Sequence, residues 1–223
     1  SLPLQYGAFS GATLTLAGEI TGDIGAVTRA DVTRWGYTPD IKSAKIQYAG
    51  QAEFSGTPPT EQVLFTLPAM PVSFDINTAS YQQYRTGATT RASGNLNNAT
   101  VTWNGNNYID GALALTGSTV LTTGSNAGIY VNGNFSFNAN NTINAGGNLT
   151  IIANGTINLD PGKINVPTGS MLTLYAKNGV TVSSGATITG NTTIISPGTV
   201  AFSGDGKIIV GNGGIINVYT QQN

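Results

Sequence analysis

The chain is expected to be an all-β protein: a parallel β-solenoid (β-helix) with about three short strands per 21–22-residue coil and an irregular excursion or cap. Three observations predict this. Apolar clusters recur every six to eight residues through the second half, and every third centre (Tyr130, Ile151, Leu172, Ile194, Ile215) falls 21 or 22 residues after the last. Gly, Asn or Pro stands between neighbouring clusters, where a chain turns a corner. Charged residues make up only 9% of the 223, against about 25% in ordinary soluble domains. A unit of this size cannot bury its own apolar side chains, so each coil must stack on the next at about 4.8 Å.

The parts follow in order, as a single domain over 1–223. Residues 1–55 hold irregular N-terminal coils, with strands at Thr13–Leu16, Ile24–Val27, Ile41–Tyr48 and Gln51–Phe54 broken by Gly11, Gly18, Gly22 and Gly25. Residues 56–94 form a Pro-rich excursion carrying Pro58, Pro59, Pro68 and Pro71. Within it Asp75 is placed to cap a short helix running to about Tyr84 and stopped by Gly87. The excursion leaves the solenoid, returns at Val101–Trp103, and is suited to cover an open end. Residues 95–223 are the regular coils. Composition changes at that boundary: one Asn precedes residue 95 and 22 follow, which predicts amide ladders between coils. Ile, Leu and Val are expected inward, and Thr, Ser and Asn outward. Asn-Gly pairs at 104, 132, 154, 178 and 212 mark turns, with glycine supplying φ > 0.

Several function classes drop out on composition. With no His and no Cys, the chain has no thiol nucleophile, no Cys/His zinc site and no Ser-His-Asp triad. Neither a metal nor another cofactor is expected. Nine basic residues against ten acids argue against a generally basic nucleic-acid surface. No segment approaches a membrane span, so membrane contact is not expected of this chain. Its start, Ser1-Leu2-Pro3, reads as a mature product or an excised domain.

The candidate chemistry is sparse. Polysaccharide-cleaving solenoids need two or three converging acids. Asp160 and Asp205 are expected at similar corners two coils apart, about 10 Å from each other, in turn contexts. Glu19 and Asp23 flank a turn and leave a weak cation site open. Gly211-Asn212-Gly213-Gly214 lacks the Lys-Ser/Thr and helix of a phosphate loop. Thr alternation at 13–15 and 187–189 is too irregular for a flat ice-binding array. Six Asn-x-Ser/Thr sequons, at Asn98, Asn134, Asn140, Asn148, Asn154 and Asn191, leave glycosylation open.

One group is denser. Arg29, Arg34, Trp35, Tyr37, Lys42, Lys45 and Tyr48 fall within twenty residues, and Tyr81, Tyr84, Arg85 and Arg91 follow. Cations neutralise phosphates while aromatic faces stack on bases or sugars. The competing assignment is an aromatic packing cluster that closes one end of the solenoid, with its charges solvated and Asp31 and Asp40 among them.

The segment order also resembles a family. GAFSGATLTLAGEITGDIGAV, the LPAMP stretch, the Tyr-containing helical segment and NNYIDGALALTG leading into Gly/Asn-punctuated coils are similar to the β-solenoid region of PilX-type minor pilins. Within that group the pattern is most similar to ComZ-type competence pilins. The resemblance covers most of the chain. It implies a type IV pilus-tip subunit outside the cell, with other pilin subunits as partners and a role in capturing double-stranded DNA for natural transformation. The apolar N-terminal helix of that family is not in this sequence, so the chain is expected to be its excised solenoid domain. The expected phosphate contacts are Arg29, Arg34, Lys42, Lys45, Arg85 and Arg91, with Trp35 or Tyr37 stacking. The runner-up is a non-catalytic surface adhesin or structural spike that recognises glycan or protein.

Overall fold

The structure is a computed structural model. It describes residues 85–209 in full, together with Gln82, and elsewhere the backbone of short strands between Ala8 and Leu64 and of Ile216–Thr220. The chain winds as a parallel β-solenoid with three faces, each contributing one strand per rung. Six rungs are fully described. Rung 1 comprises Thr89–Arg91, Gly94–Asn97 and Thr100–Trp103. Rung 2 comprises Asn106–Ile109, Leu113–Thr116 and Val120–Thr123. Asn126–Val131, Phe135–Asn138 and Asn141–Ala145 make rung 3. Asn148–Ala153, Ile157–Leu159 and Gly162–Asn165 make rung 4. Rung 5 is Met171–Ala176, Val180–Val182 and Thr187–Thr189. Rung 6 is Asn191–Ser196, Val200–Phe202 and Lys207–Ile209.

Stacking follows from side-chain period. In a strand, alternate residues point to opposite faces, so each rung buries one set inside the coil. On the third face Val101, Leu121, Ile143, Ile164, Ile188 and Ile208 stand in register down the stack. All but Val101 are fully buried. Burying each such side chain contributes about 1.5–3 kcal/mol. On the second face Phe135 and Phe137 pack edge to face, with centroids 5.7 Å apart, and both are buried in the core.

The intervals along that third-face column are 20, 22, 21, 24 and 20 residues. The longest holds the exposed Pro167-Thr168-Gly169 corner, closed by a Ser170 N–H to Pro167 carbonyl bond of 3.0 Å. On the first face the true inward column is Ile129, Ile151, Leu174 and Ile194. Tyr130 and Leu172, which the sequence periodicity selects as centres, lie one and two residues off it. A one-residue offset turns a side chain to the other face, so Tyr130 points outward.

Regular coils begin at Thr89, six residues before the composition boundary at 95. Gln82 is helical, its carbonyl accepts from Arg85 and Thr86, and Gly87 adopts φ +71° as the expected stop. The rest of the expected helix lies outside the described residues. A larger difference concerns the N-terminal strands. Thr13–Thr15, Arg29–Val32 and Gln51–Phe54 extend the second face beyond rung 6, and Ile20–Thr21 and Ile41–Lys42 extend the third. Spatial order therefore differs from chain order, since strands that precede rung 1 in the sequence stack on rung 6.

Glycines serve two purposes at the corners. Gly105 and Gly179 adopt φ +61° and +122°, as expected for Asn-Gly turns. Gly133 and Gly155 do not have positive φ. They are required instead by close approach: a Cβ on Gly133 would sit 2.9 Å from the Ala112 nitrogen, and one on Gly155 would overlap the Asn134 carboxamide. The Asn-Gly pair at 212 lies outside the described residues.

Candidate functional site

The predicted basic residues separate in space. Arg85 and Arg91 sit at the rung 1 end of the stack. Arg29 and Lys42 lie on strands that continue the second and third faces beyond rung 6, and Lys45 lies on a strand of a separate four-stranded sheet. Arg34, Trp35 and Tyr37 fall outside the described residues, as do Tyr81, Tyr84, Glu19 and Asp23. The two described arginines are each held by a ring. The Arg85 guanidinium lies 4.7 Å from the Tyr108 centroid, and that of Arg91 lies 5.3 Å from the Trp103 centroid. Arg91 also donates from Nε to Asn107 Oδ1 at 2.9 Å. Asn107 is fully buried and returns its own amide protons to the Gly105 and Gly128 carbonyls at 3.1 and 3.3 Å. Arg91 thus anchors rung 1 to the corner of rung 2, while Arg85 keeps its guanidinium at the surface.

The three described carboxylates do not meet. Asp110 occupies the corner between first and second faces of rung 2. Asp160 and Asp205 occupy the next corner on rungs 4 and 6, Asp205 with φ +63°. Among the described residues no three His, Cys, Asp or Glu side chains come together. Asp110 accepts from Asn132 Nδ2 at 3.0 Å and from the Tyr108 hydroxyl at 3.1 Å, and these two bonds hold its carboxyl below the usual range. Desolvation pushes Tyr108 and Tyr130 the other way, with the Asp110 bond adding to it at Tyr108.

The outer surface of the first face is more informative. Two outward columns run along it. One is aromatic and aliphatic: Tyr108, Tyr130, Ile152, Tyr175 and Ile195 are in register on successive rungs. Tyr130 and Ile152 are buried in a cluster separate from the core, flanked by half-buried Tyr108 and Tyr175. The other column reads Asn106, Gly128, Thr150, Thr173 and Thr193. Gly128 has no side chain, so the surface dips between Asn106 and Thr150. The result is a shallow groove of about 350 Å³ lined by Asn106, Asn126, Asn148, Thr150, Met171 and Thr173.

Every lining group is neutral. Asn148 is spent within the ladder, donating to Asn126 Oδ1 at 3.3 Å and accepting from the Met171 N–H at 2.9 Å. The ladder holds the Asn126 carboxamide through its Oδ1, and Thr150 and Thr173 stand side by side on adjacent rungs. The groove therefore offers donors and acceptors on a rigid 4.8 Å grid with tyrosines along one side. Sequence periodicity alone missed it, because the defining feature is an outward glycine in register with two threonines. Only exact strand register reveals that.

The predicted amide ladders are present. Besides Asn148 to Asn126, Asn154 donates to Asn132 at 2.9 Å and Asn165 to Asn144 at 2.9 Å. On the third face the outward positions alternate among Thr, Val, Asn, Lys and Ile, as Thr187, Thr189, Lys207 and Ile209 illustrate, so no uniform threonine array forms. No family model, curated protein or solved structure matches this chain.

Proposed function

We propose that this chain is a non-catalytic display module that presents a recognition surface outside the cell, and that its ligand is a neutral glycan held along the first-face groove. The observation that carries this is the groove's lining. Asn126, Thr150 and Thr173 offer uncharged hydrogen-bonding groups at fixed spacing, with half-buried Tyr175 beside them. Sugars present hydroxyls to such groups and apolar ring faces to such rings. Each neutral bond contributes about 0.5–1.5 kcal/mol, so binding per sugar is weak and gains from several rungs engaging one chain. Glycan-array binding followed by calorimetry tests this. Asn126→Ala with Thr150→Val and Thr173→Val is expected to weaken binding by roughly tenfold or more. Retained affinity in that variant, or no neutral glycan bound, overturns the assignment.

Capture of double-stranded DNA by a pilus-tip minor pilin is the second function, favoured by the Arg85 guanidinium at the rung 1 surface and by the resemblance in segment order. Separation of Arg29, Lys42 and Lys45 from Arg85 weakens it, since a groove that follows a phosphate backbone needs its cations on one path. If DNA is the ligand, retardation at low salt falls with Arg85→Ala and with the Arg29, Lys42 and Lys45 variants alike. A type IV pilin origin is tested by the N-terminal sequence of the precursor, where an apolar helix behind a short basic leader supports it.

A further inference from the structure

We propose that Asn140 is an N-glycosylation site, the sequon among the six whose acceptor the fold leaves available. It rests on the chain being exported, because the co-substrate, a polyprenyl-diphosphate-linked oligosaccharide, is used outside the cytoplasm. The transfer needs an asparagine whose carboxamide nitrogen is exposed and free to twist out of conjugation. The coil stacking denies this to the others. Asn98 Oδ1 is held by the Ser118 N–H at 2.9 Å, and Asn134 Oδ1 by the Thr156 N–H at 3.0 Å. Asn148 is bound at both ends of its carboxamide. Asn154 has its Nδ2 on Asn132, and Asn191 is half-buried and has a partner.

Asn140 differs in three respects. It is exposed, it enters no side-chain bond, and it follows Ala139, which adopts a φ of +133°. The middle residue of its sequon, Asn141, is fully buried and fixed by three side-chain bonds. That inward anchor places Asn140 and Thr142 on the outer side together, since alternate residues share a face. Both border a second groove of about 280 Å³ with Pro161, Lys163, Ser184 and Gly185. In the transfer, Asn140 Nδ2 forms a bond to the anomeric carbon. The bond from that carbon to the lipid diphosphate breaks, the diphosphate leaves with the electron pair, and one amide proton passes to the transferase's base.

The test uses the folded chain, a purified single-subunit oligosaccharyltransferase that accepts any Asn-x-Ser/Thr, and lipid-linked oligosaccharide. Glycopeptide mass spectrometry then locates the sugar. Modification is expected at Asn140, with at least a tenfold lower rate at the other five sequons, and at all six once the chain is unfolded in urea. Thr142→Val, which keeps the fold, is expected to abolish it. Equal or faster modification at another sequon of the folded chain, or none at Asn140, overturns the proposal. Because donor and enzyme are supplied, this result is independent of whether the native chain is exported or binds glycan.

Discussion

Asn141 is the side chain whose loss should damage the solenoid most for its size. It is fully buried at the corner entering the third strand of rung 3. Its Nδ2 donates to the Leu115 carbonyl at 2.7 Å and the Ala139 carbonyl at 3.1 Å, and its Oδ1 accepts from the Thr119 N–H at 3.1 Å. Asn141→Ala removes all three bonds. The Ala139 carbonyl keeps the Asn141 backbone N–H at 2.8 Å, but Leu115 and buried Thr119 each lose a partner in the interior. A buried group left unpaired costs about 1–3 kcal/mol, so two give roughly 2–6 kcal/mol. Asn154→Ala breaks a partly exposed ladder bond, and is expected to cost about 0.5–1 kcal/mol. Urea unfolding followed by circular dichroism measures both, and amide exchange at Thr119 localises the first. Asn141→Asp sharpens the contrast: its carboxylate faces the Leu115 carbonyl, so that variant should regain stability as pH falls and the acid protonates. If Asn141→Ala loses no more than Asn154→Ala, corner asparagines do not hold the rungs as argued.

Other outcomes follow from the same geometry. A Cβ on Gly147 would overlap the Ser125 carbonyl oxygen, whereas one on Gly185 meets nothing within 4 Å at φ +77°. Gly147→Ala should therefore cost several kcal/mol and Gly185→Ala only about 1–2 kcal/mol by thermal unfolding. Arg91→Ala should cost about 1–2 kcal/mol, of which Arg91→Lys recovers little, because the Nε bond to Asn107 needs the guanidinium. Tyr108 and Tyr130 have raised folded-state pKa values. Their contribution is complete below the ordinary value of 10.0 and is lost as pH rises from there through the folded value. Tyr130→Phe should flatten that alkaline fall in stability, as ultraviolet titration of the tyrosinates beside unfolding curves will register. Asp110 has the opposite sign, stabilising above the unfolded carboxylate pKa and losing that as pH falls. Asp110→Asn should remove this small acid dependence from pH-resolved unfolding.

Periodicity was enough to place the three-faced coil, because inward isoleucines and corner glycines impose the same spacing on every rung. Amide ladders were legible for a similar reason: 22 asparagines confined to stacked coils have one another as neighbours. Register was not. Tyr130 and Ile129 are adjacent in sequence, both suit a strand, and only pairing with Ile151 decides which faces the core. The site suffered accordingly, since a dip at Gly128 exists only relative to Asn106 and Thr150. Grouping Arg29, Lys42 and Lys45 with Arg85 and Arg91 assumed that nearness in sequence means nearness in space. In a solenoid, residues a few positions apart stand on different faces, and here the stacking order separates the two sets further.

That stacking order also governs how the protein is made. Rungs 1 to 6 each pair with a neighbour 20 to 24 residues away on the third face, so each can add as soon as it leaves the ribosome. Thr15, by contrast, pairs with Ala201, across 186 residues of chain. The N-terminal strands have no template on rung 6 until rung 6 itself is synthesised. During that interval their edges are open to neighbouring nascent chains, and a holdase or slow translation matters most there. Vectorial synthesis thus runs against the geometry of the stack, because strands made before rung 6 must wait for it before they can pair with it.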